Sequence, residues 1–195
     1  MTLRVVHCDE VAPQPWKNGG GLTRELLAWP AAGTHGNDWA LRISVADIRA
    51  GGPFSAYAGI ERWFAVLEGA GVRLVLPDGK RCVEAGDAPL QFAGEAAPPC
   101  ELLDGPTRDL NLMLKRSAGR GAMQRAQAGE AFAPRGRFRA LFAADALTLQ
   151  LDGDDAGALR VPAFALAWSE RAQGIWRIAA DAPVRAWWLY FEPNA

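Results

Sequence analysis

Short stretches in which every second residue is apolar recur along the chain, separated by glycine, proline and aspartate. In 40–46, Leu41, Ile43 and Val45 alternate with Arg42 and Ser44, the signature of a strand with one face buried. Leu3, Val5 and the run 22–29 give the earliest expected strands, although 22–29 also accommodates a helical reading. Residues 64–67 lead through Glu68-Gly69-Ala70-Gly71 into 72–76, and Pro77-Asp78-Gly79-Lys80 then reads as a hairpin turn, because Asp-Gly suits positive φ. Residues 89–92, 100–103 and 109–114 complete an antiparallel series whose close spacing describes a sandwich or barrel.

After 139 the series starts again. Strands are expected at 142–143, 147–151, 163–168, 175–178 and 187–191, with Asp152-Gly153-Asp154-Asp155 as the turn. At one shared offset Phe92 falls opposite Trp168 and Cys100 opposite Trp176; Leu112 meets Leu189 one residue further on. Such self-similarity predicts two copies of one β unit. The copies differ in their last strand. Asp109, Asn111 and Met113 share a face in the first, whereas Trp187, Trp188, Tyr190 and Phe191 crowd the second. A polar interior is expected in the first copy and a packed aromatic one in the second. The intervening 115–139 carries seven basic residues among small ones and reads as a connector with one short helix at 122–128. Its charge suits either a solvated linker or an RNA contact.

Half of the 195 residues are hydrophobic, enough for a sizeable core and too many for a disordered chain. Twenty-one Lys and Arg stand against 22 Asp and Glu, for a net charge of −1, without the basic excess of a duplex-nucleic-acid binder. No nucleic-acid partner is therefore expected, and no apolar run has membrane-spanning length. The cysteines Cys8, Cys82 and Cys100 lack C-x-x-C spacing and read as free, partly buried thiols, so a reducing cytoplasm is the expected location.

The densest cluster of unusual residues is Pro15-Trp16-Lys17-Asn18-Gly19-Gly20-Gly21-Leu22-Thr23-Arg24-Glu25. Its glycines free the backbone for a close approach, and Lys17, Asn18 and Arg24 are donors suited to a carboxylate. With 39–44, 52–62, Val66-Leu67-Glu68-Gly69 and 105–113, this stretch resembles the HutD/Ves family. The likeness covers 1–115 well and is looser beyond, with Tyr57-Ala58 where Phe-Pro is common and Leu110 where Phe is common. The resemblance implies an all-β bicupin: a first cupin-like barrel at 1–116, a connector with short helical segments at 117–139, and a smaller second barrel at 140–195 that the N-terminal strands are placed to join. It also implies a role in histidine utilisation, as a regulator or sensor of an intermediate such as urocanate, formylglutamate or formiminoglutamate.

The residues agree with a pocket for a small anionic metabolite. Arg42 and Ser44 share one strand face, and Asp109 and Asn111 share another. If both faces enter one barrel, Lys17, Arg24, Arg42 and Arg62 supply charge, while Asn18, Thr23, Ser44, Ser55, Asn111 and Met113 complete the lining. Asp109 then pairs with an arginine or meets an amine-like group. A purely structural polar network is the competing reading of the same residues. No metal or other cofactor is expected, since His7 and His35 are the only histidines and neither stands beside 66–71, where a cupin's His-x-His pair would lie. No Gly-x-Ser-x-Gly elbow occurs, so binding without catalysis is expected. The alternative is a metal-free isomerase or epimerase using Lys17 or Asp109 for proton transfer. A homodimer is a further expectation, from open sheet edges.

Overall fold

The computed structural model describes residues 3–30, 39–134, 137–153, 157–170 and 174–194. Strand after strand follows the alternation of the sequence, and 22–29, open to a helical reading, lies within a strand. Contacts divide the chain into two compact units, Val11–Gly119 and Met1–Glu10 with Arg120–Ala195. The first strand, β1 (Arg4–His7), belongs to the second of these.

In the Val11–Gly119 unit, one sheet has the order β2-β3-β4-β11-β6-β9, formed by β2 (Gln14–Pro15), β3 (Gly21–Trp29), β4 (Leu41–Ile48), β6 (Ile60–Glu68), β9 (Leu90–Ala93) and β11 (Thr107–Lys115). The other, β5-β10-β7-β8, is built from β5 (Gly52–Pro53), β7 (Val72–Leu76), β8 (Gly79–Val83) and β10 (Pro99–Leu102). The turn from β7 to β8 falls at Pro77-Asp78, with Gly79 at φ +129°, a conformation that costs glycine little. Ile48, Phe64 and Val66 of the first sheet meet Val72, Leu74, Leu76, Val83 and Cys100 of the second, so the core lies between two facing sheets. No strand pairing among the described residues closes either unit into a barrel.

The other unit repeats this wiring. β13 (Phe138–Ala143) pairs with β16 (Ala165–Ser169) and β18 (Ala186–Pro193) as β6 pairs with β9 and β11. β14 (Leu147–Leu151) pairs with β15 (Gly157–Val161) and β17 (Trp176–Ala179) as β7 pairs with β8 and β10. The helix expected at 122–128 is instead β12 (Gly119–Arg125), which lies beside β18 as β4 lies beside β11. Backbone partners on β18 outweigh the helical preference of Ala122 to Arg125, and isolated bridges then join Ala128 to Ile178 and Phe132 to Trp176 of β17. The segment read as a connector is thus largely part of this unit. Among the described residues the short helical turns lie elsewhere, at Cys8–Glu10 and Gly94–Ala96. Arg135 and Asp154-Asp155 fall outside the described residues.

The repeat runs one residue longer than Phe92 opposite Trp168 implies. Arg62 of β6 faces Phe92 and Met113, and Arg139 of β13 faces Ser169 and Tyr190, so Phe92 corresponds to Ser169. A one-residue slip exchanges the faces of a strand, and Trp168 stacks with Phe138 on the face opposite the core. No helix among the described residues is long and apolar enough to cross a membrane.

Candidate functional site

The glycine-rich stretch forms a tight reversal. Trp16 N–H donates to Gly21 O (2.9 Å), Gly19 N–H to Trp16 O (3.0 Å), and Gly20 N–H to Asn18 Oδ1 (3.0 Å). At Gly21 a Cβ would lie 2.4 Å from the carbonyl oxygen of Asp47 and 3.2 Å from the Trp16 ring, so only glycine allows β3 to lie against β4 with Trp16 folded over it. The Trp16 indole N–H donates to Thr23 Oγ1 (2.8 Å). Lys17 and Asn18 are thereby held, exposed, at the rim of a cavity of about 600 Å³.

The walls of the cavity follow from register. Ser44 pairs with Asn111, Ala46 with Asp109 and Arg42 with Met113, so one face of β4 and one face of β11 present all six side chains to the same space. Arg62 enters from β6, and Ser55 and Tyr57 from the chain between β5 and β6. That segment is anchored by Phe54 N–H to Pro98 O and Tyr57 N–H to Gly94 O (3.0 Å each), and by Gly59 N–H to Glu95 Oε1 (2.6 Å).

A chain of polar groups is buried in the cavity wall. Arg62 Nη2 donates to Asn111 Oδ1 (2.7 Å), and the Asn111 amide donates to Asp109 Oδ1. The Arg62 guanidinium lies 4.8 Å from the centre of the Phe54 ring and 5.2 Å from that of Phe92, a cation–π clamp that compensates part of its desolvation. Burial lowers its pKa to about 10, against the field of Asp109, so it stays charged at neutral pH. Asp109 is only 1% exposed; burial pushes its carboxyl up to about 8, opposed by Arg62 and the Asn111 hydrogen bond. Its Oδ2 is buried with no partner among the described residues. Arg42 is held by Glu25 (Nε to Oε2, 2.5 Å) and touches Met113 Sδ at 3.7 Å.

The sequence profile of the HutD family matches residues 8–187. The chain belongs to the HutD family. It is similar to a 21.2 kDa protein of the hutC 3′ region of Pseudomonas putida, with 39% identity over 63% of each chain. It is similar also to protein Ves of Citrobacter koseri, with 35% identity over 52% of each. The matched part thus spans between half and two thirds of these curated relatives. Among solved structures, a conserved protein of unknown function from Pseudomonas aeruginosa PAO1 superposes with TM-score 0.86 at 28% identity, and HutD from Pseudomonas fluorescens SBW25 with 0.84 at 24%, each over the full length of both chains. Oxalate decarboxylase from Lactobacillus farciminis, at TM-score 0.65 and 11% identity over 100% of this chain and 87% of that one, shares the cupin-like fold alone.

Ten of the eleven residues singled out in the sequence of this HutD-family chain line the one cavity: Lys17, Asn18, Thr23, Arg42, Ser44, Ser55, Arg62, Asp109, Asn111 and Met113. Arg24 does not. Its neighbour Thr23 faces inward, so alternation sends Arg24 to the far side of the sheet, where Nη1 donates to Asp47 Oδ2 (2.8 Å). Arg108 Nε holds the other oxygen of Asp47 (2.6 Å). Burial works against that carboxylate, but the two arginines prevail and keep its pKa below the ordinary range. Of the two partners expected for Asp109, an arginine or an amine-like group on a guest, the hydrogen bond to an arginine is not formed, and Asn111 bonds the carboxylate. Trp16, Phe54 and Tyr57, which lie within the family-like stretches, also line the cavity, as do Ala46 and Ile48, which alternation from Arg42 and Ser44 reaches.

Cupin folds often hold a transition metal, and these donors do not fit one. Among the described residues, Asp109 is the sole carboxylate lining the cavity, no imidazole stands beside it, and no cluster of three metal-ligating side chains occurs. His35 lies outside them. His7 sits on β1, its Nδ1 accepting from Asp9 N–H (3.1 Å). Cys8 and Cys100 are buried and Cys82 is exposed; burial pushes the Cys100 thiol up to about 12, which leaves it unreactive.

Proposed function

We propose that the cavity of the Val11–Gly119 unit binds a small carboxylate, and that the protein acts without catalysis as a HutD-like sensor or regulator in histidine utilisation. The observation that carries this reading is the charge of the lining: Lys17, Arg42 and Arg62 converge on a space whose single acid among the described residues, Asp109, is pushed by burial towards its neutral form. A site with that surplus favours an anion, and Asn18, Ser44 and Ser55 add neutral hydrogen-bonding groups that fix its orientation. The names of its relatives, one tied to the hutC region and another HutD itself, direct the choice of guest to urocanate, formylglutamate and formiminoglutamate. Three free cysteines accord with a cytoplasmic place for such a sensor.

Thermal unfolding in the presence of each compound tests the proposal. A ligand at a hundred times its Kd adds about 2.7 kcal/mol to stability, which shifts the transition by several degrees. Folded protein unmoved by all three removes this class of guest.

A further inference from the structure

We infer that Asp109 meets the guest of this cavity as a neutral carboxylic acid, donating its Oδ2 hydrogen to an oxygen of the bound anion, so that binding holds one proton on the protein. The inference rests on the carboxylate-binding reading and adds to it a residue that sets which guests are accepted, and at which pH.

The geometry comes first. Asp109 is buried, and the cation nearest to it along the hydrogen-bonded chain, Arg62, spends Nη2 on Asn111 rather than on the carboxyl. One oxygen of Asp109 is occupied by the Asn111 amide, while the other is buried and without a partner. An ionised carboxylate in that position leaves an oxygen uncompensated, at a cost of several kcal/mol. A neutral carboxyl turns the same oxygen into a donor on the cavity wall. A guest carboxylate brought against it supplies the acceptor, and two carboxyl groups in contact share one proton because both cannot ionise.

Burial favours that state, and Arg62 opposes it. From β4 come Arg42, which faces the cavity, and Asp47, whose charge raises Asp109 further but is itself held by Arg24 and Arg108. From β6 comes Arg62, and from β10 comes Cys100, neutral throughout the relevant range. Lys17 and Tyr57 complete the titratable lining. Burial pushes the Asp109 carboxyl up to about 8, and an anion beside it raises that value again.

Calorimetry with N-formyl-L-glutamate, whose own groups titrate far below this range, provides the test. The full-length protein is titrated from about pH 6 to about pH 9.5 in two buffers of different ionisation enthalpy. The expected Kd is flat at the acidic end and weakens about tenfold per unit above the titration of Asp109, with proton uptake approaching one per ligand at the alkaline end. Asp109→Asn binds without that slope, while Lys17, Tyr57 and the arginines remain. Binding that varies less than about twofold across the range, with no proton taken up, overturns the inference and leaves the binding reading intact. Absence of binding at every pH removes formylglutamate as the guest and, with it, this anion contact. Carbon-13 NMR of the aspartate carboxyls, wild type against Asp109→Asn, then decides the protonation by itself: a carboxyl still protonated at about pH 7 upholds the neutral acid, and one already ionised at about pH 6 overturns it.

Discussion

Arg62 and Arg139 stand at equivalent positions of the two units, Arg62 between Phe92 and Met113 and Arg139 between Ser169 and Tyr190, each with its guanidinium against an aromatic face. Beyond them the units diverge. Where the first has Asn111 and Asp109, the second has Trp188 and Ala186, and there Trp188 stacks on Phe132 with ring centroids 4.5 Å apart. Trp176 leans on the same indole at 6.5 Å. One copy of the repeat therefore keeps a polar cavity, and the corresponding space in the other is filled by rings. Trp188→Ala is expected to cost about 3–5 kcal/mol in denaturant unfolding, by transfer and cavity terms together. Ligand affinity of the native protein is expected to be unchanged, since Trp188 does not line the cavity.

Asn111 is the joint between two buried charged groups. Asn111→Leu keeps nearly the same volume but strips Arg62 Nη2 and Asp109 Oδ1 of their partners. Leaving buried polar groups unpaired costs about 1–3 kcal/mol each. Equilibrium unfolding in urea should show a midpoint displaced by that amount with an unchanged slope.

The raised carboxyl of Asp109 gives stability a signed pH dependence. In the unfolded chain the group titrates near 3.8, and in the native protein at about 8. Between these values the native state binds the extra proton, so this group's contribution falls as pH rises through the window and is constant outside it. Wild type compared with Asp109→Asn across that window isolates the effect. The melting temperature of wild type is expected to decline relative to the variant from acidic to mildly alkaline pH.

Much of this was legible in the chain itself. Leu41-Arg42-Ile43-Ser44-Val45 announced both a strand and the face that carries the site, because a period of two assigns alternate residues to opposite sides. Asp109 and Asn111 were legible for the same reason, and their register with Ala46 and Ser44 made them neighbours in space. Arg24 was misplaced because a cationic residue in a glycine-rich signature looks like part of the pocket, although its regular register beside Thr23 puts it on the other face of β3. Residues 122–128 read as helical because their alternation is blurred by small residues; only the open edge of β18, which no local pattern reveals, draws 119–125 into a strand.

Gly21→Ala is predicted to damage the cavity without touching a ligand-facing polar group. The added methyl meets the Asp47 carbonyl, which is part of the sheet and cannot withdraw, so β3 or Trp16 must shift. A loss of about 1–3 kcal/mol in stability is expected, with a change in tryptophan fluorescence as Trp16 leaves its wall.

Calorimetry of wild type, Arg24→Ala and Arg42→Ala against urocanate, formylglutamate and formiminoglutamate tests the central claim most directly. Arg42 lines the cavity and Arg24 lies across the sheet, bonded to Asp47. The prediction is one-to-one binding of at least one compound, with affinity preserved in Arg24→Ala and reduced about tenfold or more in Arg42→Ala, the 1.5–3 kcal/mol range of a charge-assisted hydrogen bond. Folded protein that takes up none of the three, or Arg42→Ala that binds as tightly as wild type, would contradict it.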